Sequence, residues 1–245
     1  MPLLSIVKSV MDSNGWPDVV TSVASNNADP NMRQAFALAN KVLRDLSFKK
    51  NWPILTREHA FVTVPGQQDY PLPADFHHLV SPSAVNADQY YAMKGSLTPI
   101  QWYRYLLNGS FAYNSGGVNW VNGFRIDPFA KTFRIVPIPT SEVNLVFMYV
   151  TNLIATDSGG NPTTQYSQDT DIAIIDEEIV EQGLSWRWRQ KKGLDYTAEL
   201  AEAQATFNTR FAQELAFGEL PVGARAMSDI YPLTPGYIGS GPIGL

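Results

Sequence analysis

The sequence predicts an α+β protein: an α-helical bundle built from N- and C-terminal helices, with an inserted antiparallel β domain and an extended C-terminal arm. Three observations predict it. Apolar residues recur at helical spacing near both ends of the chain. Between about 55 and 149 the period changes to two, with frequent Gly, Pro and Asn. Beyond 218 the chain is too rich in Pro and Gly for a regular element, yet too apolar for a solvated tail. Helices from both ends most economically share one bundle. Residues 1–52 and 168–218 are therefore assigned to the bundle, 53–167 to the β insertion and 219–245 to the arm.

The first helix is expected over 3–14, where Leu3, Ile6, Val7, Val10 and Met11 share a face and Gly15 closes it. Asp29-Pro30 starts a second, since Asp caps free N–H groups and Pro fits the first helical position. Met32, Phe36, Ala39, Leu43 and Leu46 form its stripe, and it ends near 48–50, before Trp52. A strand over 57–64 then sets His59, Phe61 and Thr63 on one face and Ala60, Val62 and Val64 on the other. Pro65-Gly66 turns the chain into the arm Tyr70-Pro71-Leu72-Pro73, whose prolines forbid helix and protect an edge.

Further strands are expected over 77–85, 120–127, 131–137 and 143–150, with a hairpin turn from Asp127 to Lys131. Residues 100–107 lean towards a short helix, and 108–123 read as a long excursion. A polar linker over 157–168 leads to a helix capped around Asp169 to Asp171. Its stripe is Ile172, Ile175, Ile179, Gly183 and Trp186, and Gly193 stops it. The last helix runs from about Asp195 to Gly218 on Tyr196, Leu200, Ala203, Phe207, Phe211 and Leu215, forming an antiparallel pair with its predecessor.

Composition narrows the function. Charged residues make up 17% of the 245, below the roughly 25% of ordinary chains, while aromatics reach 12%. Few charges and many aromatics suit a surface buried against partners. A net charge of −5 does not grip phosphates; an acidic wall lets DNA slide past instead. The absence of cysteine excludes disulfides, thiolate nucleophiles and Cys-based zinc sites. No apolar run approaches the length of a membrane span, and the N-terminus lacks the marks of a signal peptide, so synthesis in the cytoplasm is expected.

No catalytic constellation stands out. His77 and His78 are neighbours on a strand, where side chains alternate, so they are not expected to grip one metal. The acidic group Asp169, Asp171, Asp176, Glu177 and Glu178 suits the positive end of a helix dipole. Gly239 to Gly244 matches a dinucleotide pattern, but no strand precedes it. The basic run Arg187, Arg189, Lys191 and Lys192, interleaved with Trp186 and Trp188, reads as a helix-terminal charge pattern or as a docking face for an acidic partner. In the arm, Ile230, Tyr231, Leu233, Tyr237, Ile238 and Ile243 are costly to leave in water, so the arm is expected to order against a neighbouring subunit or another protein. Two rival readings remain. One is a β-rich tail module binding carbohydrate or a receptor, with Trp102, Trp120 and nearby tyrosines as the carbohydrate contacts; the other, ranked last, is a cell-wall hydrolase.

The order of these features resembles a known family. A helix leading to Trp52, a strand and turn, the Tyr-x-Leu-Pro-x-Asp-Phe arm from Tyr70 to Phe76, the strand FRIVPIP at 133–139, a Tyr-bearing strand VFMYV, an acidic helix start and a closing helical pair are similar to bacteriophage head–tail adaptors. The tail tubular protein A type of short-tailed phages is included, and the likeness covers about residues 30–215. The resemblance implies a structural virion protein without catalysis, cofactor or metal, made in the host cytoplasm and placed at the head–tail junction. It implies a homo-dodecameric ring below the portal that lines the DNA passage. The helical face, with Trp186, Arg187, Trp188, Arg189, Lys191 and Lys192, and the arm would meet the portal. The β region would meet a downstream tail or nozzle protein, with tail fibres as further partners and no membrane contact.

Overall fold

The computed structural model of the chain describes residues 1–16, 20–25, 29–112 and 121–218. It is a mixed structure of five helices and antiparallel strands. Helix α1 (Leu3–Ser13) buries all five of its expected apolar residues. In α2 (Pro30–Ser47), the Asp29 carboxylate accepts from Asn31 N–H at 2.8 Å and Pro30 opens the first turn. Its buried face is wider than the expected stripe and includes Ala35, Leu38 and Val42. Small side chains do not show in a stripe read from large ones, although they allow the closest helix approach. Trp52 then folds back beneath α2, donating its Nε1–H to Leu46 O at 2.9 Å.

A 3-10 turn (Pro53–Leu55) leads into β1 (Thr56–Val62). Then come β2 (Asp69–Pro71), β3 (Phe76–Leu79), β4 (Val85–Asn86) and β5 (Tyr91–Ala92). Helix α3 (Pro99–Ala112) is followed by β6 (Gly123–Asp127), β7 (Thr132–Val136) and β8 (Asn144–Thr151). One sheet has the order β1-β8-β4-β5, with β3 also on β8; a second has the order β2-β7-β6. The single strand expected over 77–85 is split into β3 and β4, both paired with β8. Pro82 lies in the gap and has no N–H to give. There the Ser83 hydroxyl stands in for backbone, donating to Met148 O and accepting from Met148 N, each at 3.0 Å.

The two sheets enclose an aromatic core. Phe133 of β7 stacks on Phe147 of β8 at 4.9 Å, and Phe124 stacks on Phe133 at 4.8 Å. Face assignment on β1 follows the alternation: His59, Phe61 and Thr63 turn inward, while Ala60, Val62 and Val64 are exposed. Helix α3 is longer than expected and seats Trp102 against Leu97 and Val136. Of the expected 108–123 excursion, 108–112 complete α3 and 121–123 lead into β6, while 113–120 lie outside the described residues.

The stretch 157–168, read from composition as a linker, is built into the structure. Strands β9 (Ala155–Thr156), β10 (Pro162–Thr163) and β11 (Ile172–Ala173) form a small sheet around it. Tyr166 is fully buried among the helices, its backbone held at both ends by the Asn40 amide at 2.8 and 3.2 Å. The fourth helix, α4 (Glu177–Lys192), starts later than expected, with Asp176 as its cap. Asp169 and Asp171 hold loops instead. Asp169 accepts from Val23 N–H and Ala24 N–H at 3.0 and 2.7 Å, and Asp171 from Ser167 N–H and Gln168 N–H at 2.6 and 2.9 Å. Any Asp ahead of an apolar run reads as a cap, and only the fold selects among several. Ile172, expected on the helix stripe, is an exposed strand residue.

Helix α5 (Thr197–Gly218) runs back along α4. Gly193 makes the turn possible, because its φ of +72° is strained for any side chain. Arg210 reaches Asp176 at 3.5 Å and is paired with Glu178, tying the far end of α5 to the start of α4. One hydrophobic cluster joins α1, α2, α4 and Phe207 of α5 with Val150, Ile154 and Tyr166; a separate one lies between the two larger sheets. The expected arm, 219–245, lies outside the described residues.

Candidate interaction surfaces

The basic run of α4 is largely engaged within the molecule. Arg187 pairs with Asp45 of α2 at 2.8 Å, and its guanidinium lies 5.0 Å from the Trp186 ring centroid. Trp188 is only 2% exposed and meets Trp16 edge to face at 6.2 Å. Arg189 donates Nε–H to Asp195 O at 2.7 Å and pairs with Glu199 at 3.1 Å, closing the α4–α5 turn. Lys192 donates to Asn31 Oδ1 at 2.7 Å while its ammonium sits 4.5 Å above the Trp188 ring. Trp186 is half-buried beside Tyr196, and Lys191 is exposed. Trp186, Lys191 and Lys192 are thus the members of the run with most surface left to offer. A cavity of about 280 Å3 opens between α2, α4 and α5, lined by Val42, Leu46, Ile179, Trp186 and Phe207. The arm residues Ile230, Tyr231, Leu233, Tyr237, Ile238 and Ile243 lie outside the described residues.

The Tyr-x-Leu-Pro-x-Asp-Phe arm proves to be a clamp. The Tyr70 hydroxyl accepts from Val64 N–H at 2.9 Å and donates to Gln67 O at 3.0 Å, closing the turn after β1. The Asp75 carboxylate accepts from Tyr149 OH at 2.9 Å and Thr151 Oγ1–H at 2.7 Å, both on β8. Burial, and then the bond to Asp75, push the Tyr149 phenol up to about 12, so it stays a donor. The Tyr70 hydroxyl and the Asp75 carboxylate are thus both engaged with groups of the protein itself.

His77 and His78 do meet, against expectation: their Nδ1 atoms are 2.7 Å apart. A register shift between Phe76 and His78 breaks the alternation that would have separated them. His77 stacks on Phe48 at 3.6 Å, and His78 Nε2 lies 2.9 Å from Asn51 Oδ1, so the pair fastens β3 to the end of α2. Burial lowers the affinity of both rings for protons, and His78 lowers that of His77 further. Among the described residues, no group of His, Asp and Glu is placed to hold a metal.

What the surface offers instead is apolar area. Phe129, at the tip of the β6–β7 hairpin, is 98% exposed. Its turn is fixed by the Asp127 carboxylate, which accepts from Phe129 N–H and Ala130 N–H at 3.0 Å each. On α3, Ile100, Tyr103 and Leu107 stand out at a spacing of three and four residues, the pattern by which a helix engages a groove. On the outer face of the first sheet, Val62 and Val64 are 50% and 52% exposed, and Met148, opposite Glu58 on β8, is exposed as well. Sequence reasoning did not single out Phe129 or the α3 stripe. A Phe in the middle of a DPFAK turn was the available signal, since nothing in a two-stranded hairpin tip can bury it.

The described surface thus presents apolar features on separate elements of an α+β fold. The chain falls among phage head–tail adaptors. It belongs to the SU10 adaptor protein family, whose model matches residues 1–235. No curated protein matches the chain. The family places it as a virion component of the head–tail junction, in contact with other head and tail components. Among the described residues, no helix is long and apolar enough to cross a membrane.

Proposed function

We propose that the protein closes into a ring, twelvefold as in the adaptors of the tail tubular protein A type, seated between the portal and the next tail component. The observation that carries this is the set of exposed apolar features on separate elements: Phe129, the α3 stripe and the Val62–Val64 face. A monomer leaves such features in water only at a cost, and contacts between unlike faces of identical subunits generate rings. The helices make one module, residues 1–52 with 168–218, and the β insertion at 53–167 reaches outward. The two separate hydrophobic clusters support that division, with Ile154 and Tyr166 going to the helices. The α4 run, through Trp186, Lys191 and Lys192, and the arm meet the portal; the sheets meet the downstream tail or nozzle protein. The net charge of −5 spares passing DNA an adhesive wall. The role is geometric, not catalytic.

The test is negative-stain imaging of the protein mixed with portal rings. A second ring stacked on the portal is the expected result; a protein that stays monomeric in the mixture sinks the reading. The carbohydrate-binding alternative loses one of its two tryptophans, because Trp102 is buried beneath Arg134.

A further inference from the structure

Strand β1 is an edge. It pairs with β8 on one side and with no other strand among the described residues. Thr63 N–H donates to Val143 O at 2.9 Å, which places residue 63 in the paired phase of the ladder. Backbone direction alternates along a strand, so the N–H and C=O groups of Glu58, Ala60 and Val62 point away from β8. The next group in that phase, Val64 N–H, is taken by the Tyr70 hydroxyl. The other three face outward on residues that are themselves exposed. This edge carries no proline or lysine, the devices that often blunt one, and its charged residues are confined to Arg57 and Glu58 near its start. Beside it lies the apolar outer face of Val62, Val64 and Met148.

The chain itself leads to this edge. Trp52, four residues before β1, packs edge to face on Phe207 and Phe211 of α5 at 5.4 and 5.1 Å. Helix α5 ends at Gly218, two turns beyond Phe211, and the 219–245 segment departs from there. An extended chain advances about 3.3 Å per residue, so residues 219–223 carry the chain about 16 Å from the end of α5 before the next run begins. The segment's longest run free of Gly and Pro, residues 224–231 (ARAMSDIY), is about as long as the strand. Either face of that run brings apolar side chains to the outer sheet: Met227 and Tyr231, or Ala226 and Ile230. Arg225, on the same face of the run as Met227 and Tyr231, carries the charge complementary to Glu58.

We propose that residues 224–231 add to the free edge of β1 as an extra strand of their own chain's sheet. The tether favours this chain over a second copy, since a short linker holds the segment at an effective concentration near millimolar. Leu233, Tyr237, Ile238 and Ile243 lie beyond the pairing and stay available to a partner. The pairing requires no ring, so failure of the portal experiment leaves it standing.

Residue-resolved hydrogen exchange on the full-length monomer tests it, comparing the natural chain with the double variant M227P/S228P. Adjacent prolines remove a donor in whichever register the run pairs. The expected result is that the Ala60 and Val62 amides exchange about tenfold more slowly in the natural chain, with the α2 and α4 amides equal in both. Equal exchange at Ala60 and Val62 overturns the proposal. Protection that grows with protein concentration also overturns it, by giving the edge to a second copy.

Discussion

Gly183 shows how little room separates the helices. A Cβ added there would meet Val42 Cγ1 at 2.8 Å and Leu46 Cδ1 at 2.9 Å. G183A is expected to destabilise the protein by about 1–3 kcal/mol, read as a lower urea midpoint at unchanged slope. The histidine pair gives the fold a pH dependence. Both rings hold protons less readily when folded than their ordinary value of 6.5 implies, so the unfolded chain binds more protons near and below that value. Their contribution is complete above about pH 6.5 and declines as pH falls through it. The melting temperature is expected to drop between pH 7 and 5, and H77F, which keeps the stack on Phe48, flattens that slope. A slope unchanged in H77F would remove His77 from the account. At this scale the sequence was legible for backbone duties, as at Asp29, Pro30 and Gly193. It was silent on His77 meeting His78, because a bulge is a property of two strands and not of one.

Whole elements were readable where one periodicity ran uninterrupted. Helices α1, α2 and α5 and strands β1, β7 and β8 follow the apolar pattern closely. Between Leu79 and Val85 the pattern continued but the strand did not, since a proline and a serine hydroxyl replaced ladder bonds. The start of α4 slipped because three aspartates precede the same apolar run, and two of them are committed to loops. The β6–β7 hairpin offers the clearest separation of stability from assembly. Phe129 touches almost nothing in its own chain, so F129S should change stability by less than about 0.5 kcal/mol. Ring or partner binding, followed by sedimentation with the downstream tail component, is expected to weaken markedly. An F129S protein that assembles as the natural one does removes the hairpin tip from the contact set.

For the molecule as a whole, the α+β class and the order of its parts were visible in the change of period from 3.6 to two and back. The small sheet of β9, β10 and β11 was not, because pairs of two-residue strands carry no period. The candidate contacts were legible only in part. The basic run of α4 was conspicuous as composition, yet four of its six members are held by Asp45, Trp16, Glu199 and Asn31. Charge and aromaticity mark a residue as able to make a contact, and the fold decides with whom.

Strand β8 belongs to both hydrophobic clusters: Leu145, Phe147 and Tyr149 lie between the sheets, and Val150 lies among the helices. One unbroken length of backbone therefore passes through both clusters, bonded along its sides to β1, β3 and β4. Such a strand acts as a stiff spar. A push on the sheets would reach the helices through Val150 and its neighbours. In a component of the head–tail junction, that continuity would carry a load on the sheets into the helices along a single strand.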